Sequence, residues 1–242
     1  MAAPGAAIGR VYLVGAGPGA PDLLTLRAAH VLAQADVVLT DALVHPDTLS
    51  LATRAQIVFV GKRAGIPSPK QADINRMLID AARRYRSVVR LKGGDPMVFG
   101  RAQEEIDALR DAGIAFEVVP GVTAALAASA ELQRPLTQRA RSRHFVLVTP
   151  KYADGAPPND WVRPIIDADA AAVYMGGAAV GEIGQALLRA GRPGTTPVIL
   201  ARNVSLPDAE YVHSTLAEVA AGQVTVQAPV LILIGETFGG AG

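Results

Sequence analysis

Apolar positions in the first half of the chain fall into two alternating patterns. Short continuous runs, such as Val11-Tyr12-Leu13-Val14, are followed by stretches in which apolar residues recur every three or four positions. The runs predict buried strands at 11–14, 36–40, 57–60, 87–91 and 116–119. The helical spacing predicts helices over 22–34 (Leu23, Leu26, Ala29 and Ala33), 72–85 (Ile74, Leu78, Ala81 or Ala82), 103–112 and 122–132. Strands alternating with helices through short connections predict a largely parallel sheet covered on both faces. The second half repeats the alternation less regularly. Strands are predicted at 145–148, 171–175, 198–201 and 230–234, with a weaker one at 210–214, and helices over 180–190 and 216–221. The stretch 152–164, rich in Gly, Pro and Asp, reads as a surface loop. Pro120-Gly121 punctuates the chain between the two patterns, giving domains 1–120 and 121–242. The architecture expected is two α/β domains with a cleft between them.

Composition narrows the function classes. Half of the 242 residues are hydrophobic and 19% are charged, as in a globular protein with a sizeable core. The formal net charge of +1 provides no global attraction to nucleic acid or to a membrane, so neither is expected as a partner. There are no cysteines, which excludes disulfides, thiolate metal sites and cysteine nucleophiles. No cluster of metal-ligand residues is recognisable, so a metal-free site is expected. Residues 1–7 lack the basic and apolar segments of a leader, and no apolar run is long enough to span a bilayer. The expected location is the cytoplasm.

Three glycine-bearing turns follow predicted strands: Gly15-Ala16-Gly17-Pro18-Gly19-Ala20, Lys92-Gly93-Gly94-Asp95-Pro96 and Pro120-Gly121-Val122-Thr123-Ala124. On one edge of a parallel sheet they would converge where ligands of α/β proteins bind. The first turn formally fits a dinucleotide fingerprint, with Asp41 placed as a ribose-binding acid, and would imply a nicotinamide-dependent oxidoreductase. Pro18 removes a backbone donor from that turn, and Pro21 pushes the following helix downstream, both against a pyrophosphate. Arg63 and Arg101 lie just past glycine turns, and Arg134, Arg139, Arg141 and Arg143 fall within ten residues. Such a cluster is commonly a solvated surface, but it also suits a polyanionic ligand.

The order of these motifs resembles the tetrapyrrole methyltransferases, and most closely their uroporphyrinogen-III C-methyltransferases. The resemblance rests on 11–21, Gly61-Lys62-Arg63-Ala64-Gly65, Arg90-Leu91-Lys92-Gly93-Gly94-Asp95-Pro96-Met97-Val98-Phe99-Gly100-Arg101, 116–125, Pro135-Leu136-Thr137 and Tyr174-Met175-Gly176. It implies a mostly parallel sheet in the first domain, a mixed sheet in the second, and S-adenosyl-L-methionine in the cleft, leaving as S-adenosyl-L-homocysteine. It further implies that Pro18, Gly93, Gly94, Asp95, Val98, Thr123, Ala124, Met175, Val204 and Ala228 line the cofactor. Asp41 would be the base and Lys62 the proton donor, with Arg63, Arg101 and Arg139 on the carboxylates of the tetrapyrrole. The implied reaction methylates C2 and C7 of uroporphyrinogen III to give precorrin-2 for sirohaem or cobalamin synthesis, in a homodimer.

Some positions depart from the family pattern. Thr40 and Ala42 stand where Tyr and Arg are usual, Ala102-Gln103 replaces a Gly pair, Gln138 and Ala140 replace His and Asp, and Val204 replaces Gly. The alternative reading is therefore a methyltransferase acting on a later precorrin.

Overall fold

The computed structural model describes residues 8–61, 70–139, 142–151 and 160–240, and the chain separates into two compact units, Met1–Thr123 and Ala124–Gly242. In the first unit, β1 (Arg10–Gly15) leads through a 3-10 turn at Pro21–Leu23 into α1 (Leu26–Ala33). There follow β2 (Val37–Thr40), α2 (Pro46–Ser50), β3 (Gln56–Phe59), α3 (Gln71–Arg84), β4 (Ser87–Lys92), α4 (Ala102–Asp111) and β5 (Phe116–Val119). The strands form one sheet in the order β3-β2-β4-β1-β5, and every adjacent pair is parallel. All five therefore end on the same edge, where the turns after β1, β4 and β5 emerge.

Alternation along buried strands sorts the side chains onto two faces. Val11, Leu13, Val37, Leu39 and Val88 pack with Ile74 and Leu78 of α3 and Ile106 and Leu109 of α4. Val14, Val38, Val89 and Leu91 pack on the opposite side with Ala28, Val31 and Leu32 of α1. Removal of each large aliphatic side chain from water contributes about 1.5–3 kcal/mol. Helix α1 starts four residues later than the spacing predicts. Pro21 supports only a single 3-10 turn, and the true cap is Thr25, whose hydroxyl accepts the Ala28 N–H at 3.1 Å.

The second unit consists of α5 (Ala124–Glu131), β6 (Phe145–Val148), α6 (Val162–Asp167), β7 (Ala170–Val173), α7 (Val180–Arg189), β8 (Pro197–Arg202), β9 (Glu210–Thr215), α8 (Leu216–Ala220) and β10 (Val230–Gly235). Its sheet runs β6-β7-β10-β8-β9 and is mixed, parallel only between β6 and β7. The expected α/β class, one parallel and one mixed sheet, is what the chain forms. Two elements differ from expectation. Residues 162–164 belong to helix α6 rather than to a loop, because Pro164 sits in the first turn, where its missing N–H leaves no helical bond unmade; 152–159 lie outside the described residues. Strand β7 stops at Val173, since Met175 has φ +57° and cannot continue an extended chain.

At the start of β6, the Asp169 carboxylate accepts the backbone N–H groups of Arg143 at 2.7 Å and His144 at 2.9 Å. These bonds, that of His144 foremost, hold its pKa below the ordinary aspartate value. The stability they contribute is present above the ordinary value and is lost as pH falls through the depressed one. Asp169→Asn should therefore be less stable than the parent at neutral pH, and the gap should close in strong acid. Urea unfolding of both proteins across that range checks this.

Candidate functional site

The three glycine turns of the first unit are laced together by backbone. Gly17 and Gly94 exchange hydrogen bonds in both directions, Gly94 N–H to Gly17 O at 2.7 Å and Gly17 N–H to Gly94 O at 3.2 Å, and the Ala16 N–H donates to Lys92 O at 2.7 Å. Asp95 joins the second turn to the third. Its Oδ1 accepts from the Met97 N–H at 2.8 Å and its Oδ2 from the Gly121 N–H at 2.9 Å. Glycine is required where these backbones meet. A Cβ on Gly121 would lie 2.3 Å from Gly94 O, and one on Gly15 would lie 2.6 Å from the Gly121 Cα. Gly94 has φ +68°, which strains any side chain placed there. Gly93 differs: it is exposed, and among the described residues the nearest atom to an added Cβ is Leu43 Cβ at 3.9 Å. Close packing of the described residues does not explain the glycine at 93.

This lacing also answers the dinucleotide reading. The donors of Ala16 and Gly17 are already bonded within the protein, Pro18 has none, and α1 begins seven residues beyond Gly19, so these three positions and the helix start offer no N–H to a pyrophosphate.

Beside the turns lies a buried ionic network that the sequence reading did not single out. Arg90 and Lys92 of β4 point to the α3/α4 face and are 3% and 4% exposed. Fully buried Glu105 of α4 receives both, Oε1 from Arg90 Nε at 3.0 Å and Oε2 from Lys92 Nζ at 2.9 Å. Gln71 Nε2 adds a bond to Glu105 at 3.3 Å. Arg90 Nη2 donates to Asp41 Oδ1 at 2.6 Å, and Asp41 keeps 30% of its side chain exposed. Burial lowers the Lys92 pKa, an effect that Glu105 partly offsets. The available signal was two cations two residues apart within an otherwise apolar strand, which alternation places on one buried face.

The other expected residues fall as follows. Pro18 and Val98 are half-buried, and Thr123 is buried behind Gly94, its Cα 3.9 Å from an added Cβ there. Arg101 sits at φ +55° before α4, its guanidinium paired twice with Glu104 at 2.8 Å on the surface. Gly61 packs on the backbone of Asp41 and Ala42, an added Cβ meeting Ala42 N at 2.4 Å, while Lys62 and Arg63, the next residues, lie outside the described ones. In the second unit, Ala124 opens α5, Val204 is buried and Arg139 is exposed. Met175 is 48% exposed rather than part of the core. An added Cβ on Gly177 would lie 3.5 Å from Ala228 Cβ, so the turn after β7 and Ala228 adjoin. Of the clustered arginines, Arg134 holds the carbonyls of Gly239 and Gly240, a structural use, and Arg141 lies outside the described residues.

The profile of the tetrapyrrole (corrin/porphyrin) methylases matches residues 10–220. The chain belongs to this family. Among solved members, the uroporphyrin III C-methyl transferase of Thermus thermophilus is 44% identical with a TM-score of 0.84, over 95% of this chain and 98% of that one. The structure of the Thermus protein complexed with S-adenyl homocysteine is 43% identical, also with a TM-score of 0.84, over 95% and 93% of the two chains. The siroheme synthase of Azotobacter vinelandii is 44% identical over 233 residues, 95% of this chain but 50% of that protein. This methylase thus spans about half the length of the siroheme synthases it matches.

Proposed function

We propose that this methylase transfers methyl groups from S-adenosyl-L-methionine to C2 and C7 of uroporphyrinogen III, forming precorrin-2 for sirohaem or cobalamin synthesis, as a cytoplasmic homodimer. The observation that carries the reading is the laced set of glycine turns, in a chain whose Thermus relative is complexed with S-adenyl homocysteine. The residues fit such a ligand. Gly93 leaves open space that nothing among the described residues fills, and it is followed in the same turn by half-buried Gly94 and, four residues on, half-buried Val98. Pro18, Asp95 and Thr123 of the first unit are assigned to the same ligand, as are Ala124, Met175, Val204 and Ala228. Asp95 acts through the turns it ties together, since both of its oxygens are engaged.

When bound, the cofactor supplies an electrophilic methyl group on a sulfonium. The pyrrole carbon of a porphyrinogen is already nucleophilic, so the protein needs no activated serine, cysteine or metal, but must align the reactants and exclude water. Exposed Leu43 and Met97, carried by the turns after β2 and β4, offer apolar contacts for a macrocycle. Arg63, Arg101 and Arg139 would take its carboxylates; the surface pair of Arg101 with Glu104 is weak enough to exchange for a substrate carboxylate. Asp41 would accept the proton that the methylated ring loses, and Lys62 would donate one.

Single-turnover methylation of isolated porphyrinogens tests the reaction. Transfer to uroporphyrinogen III is expected; transfer only to a later precorrin would replace the substrate. Gly93→Val tests the cofactor turn more cleanly than a change at Gly94, because the protein has room for the side chain and φ carries no strain. Calorimetry should show S-adenosyl-L-homocysteine binding weakened by about tenfold or more, equivalent to ~1.4 kcal/mol, with the melting temperature nearly unchanged. Undiminished affinity would remove the turn from the cofactor site.

A further inference from the structure

The buried network on the α3/α4 face has an uneven charge count. Arg90 and Lys92 are two cations with almost no exposure, and among the described residues Glu105 is the fully buried anion they share. A buried charge is tolerated when it is paired, and a second anion is needed to balance the group. Asp41 supplies it, on the partly exposed side, through Arg90 Nη2 at 2.6 Å. The remaining donors of Arg90 are also used. Nη1 bonds to Leu91 O at 3.2 Å and reaches Leu39 O at 3.5 Å, and Nε is held by Glu105. The guanidinium is thus fixed from four sides, and Asp41 is its partly exposed partner among the described residues. Register explains the meeting. Leu39 of β2 lies opposite Arg90 of β4, and Asp41 follows two residues later on the same face as Leu39.

We propose that Arg90 is a positioning residue for the reaction, fixing Oδ1 of Asp41 so that Oδ2 is presented to the substrate. The inference rests on the role proposed above for Asp41 as the base. Among the described residues, no hydrogen bond engages Oδ2. A proton lost by the methylated macrocycle would pass to this oxygen, while the electrons of the broken bond remain in the ring. Asp41 would become a neutral acid, and Arg90, which does not give up its proton, would continue to hold the other oxygen. Glu105 anchors the device and neutralises Lys92 at the same time. Only an arginine serves here, because one planar fork must bond Glu105 and Asp41 in different directions.

Arg90→Lys keeps the charge but cannot bond both carboxylates. The variant should retain S-adenosyl-L-homocysteine affinity within about twofold, while steady-state methylation of the porphyrinogen falls about tenfold or more in kcat, with little change in KM. In an Asp41→Asn background the same substitution should cause almost no further loss, since residues that act as one unit are not additive. If Arg90→Lys does not fold, the neutral pair Arg90→Gln with Glu105→Gln takes its place, Lys92 being able to lose its proton there, and the same criteria apply. Near-parental kcat overturns the proposal, as does an equal loss with and without Asp41. A parent chain that methylates no porphyrinogen overturns the reaction assigned above and this inference with it. An active parent beside an unaffected variant overturns the inference alone.

Discussion

Replacing Glu105 by alanine is expected to destabilise the protein by about 3–5 kcal/mol, the cost of leaving buried charge without its partner. The substitution strands Lys92, 2.9 Å from one lost oxygen, and leaves Arg90, 3.0 Å from the other, with Asp41 as its remaining anion. Its neighbour Glu104 provides the internal comparison. That side chain pairs with Arg101 at 2.8 Å on the surface, and Glu104→Ala should cost less than about 1 kcal/mol. Urea unfolding of the two variants separates the cases. The pH dependence gives a second check. Burial lowers the Lys92 pKa in the folded chain, so between that lowered value and the ordinary lysine value the unfolded chain binds more protons, and this group makes stability rise with pH. Without Glu105 the lowering should be larger. The deficit of Glu105→Ala should therefore shrink as pH rises and Lys92 sheds its proton. A deficit independent of pH would mean that lost packing, rather than stranded charge, is the cause.

The contrast between Glu104 and Glu105 also shows where the sequence is legible. Hydrophobic spacing places α4 correctly, yet it does not tell the two glutamates apart. Only the tertiary pairing of α4 with the β4 face separates a solvated residue from a fully buried one. Strands β1 and β2 are readable because burial on both faces leaves continuous apolar runs, and β4 and β5 because Val88-Val89 and Val118-Val119 supply short ones. Helix α2 is not, since Pro46–Ser50 is a single short turn carrying Asp, Thr and Ser and little apolar periodicity. The glycine turns are legible as motifs, and their convergence follows from parallel strands ending on one edge. The reason for each glycine is not. Gly15 and Gly121 are demanded by backbone contact, Gly94 by its positive φ, and Gly93 by nothing among the described residues. The arginine cluster after α5 shows the opposite limit: charge pattern alone cannot distinguish Arg134, which holds two backbone carbonyls, from exposed Arg139.

Asp41→Asn is expected to lower the methylation rate by about a hundredfold or more, the typical effect of losing a general base, while cofactor affinity stays close to that of the parent. The structure makes this a sharper test than the side chain alone would suggest, because two effects must be separated. Asparagine keeps an oxygen that can still accept from Arg90 Nη2, so the orientation of the group should survive. It removes the negative charge that balances the Arg90, Lys92 and Glu105 group, so some loss of stability is expected as well. Melting temperature, S-adenosyl-L-homocysteine affinity and single-turnover rate should therefore be measured on one preparation, with the rate referred to folded protein. A folded, cofactor-binding variant that has lost turnover supports Asp41 as the proton acceptor. A rate that falls only in proportion to folded protein assigns Asp41 to charge balance in the network. Near-parental turnover would remove it from the reaction, and Lys62 would be the next residue to substitute.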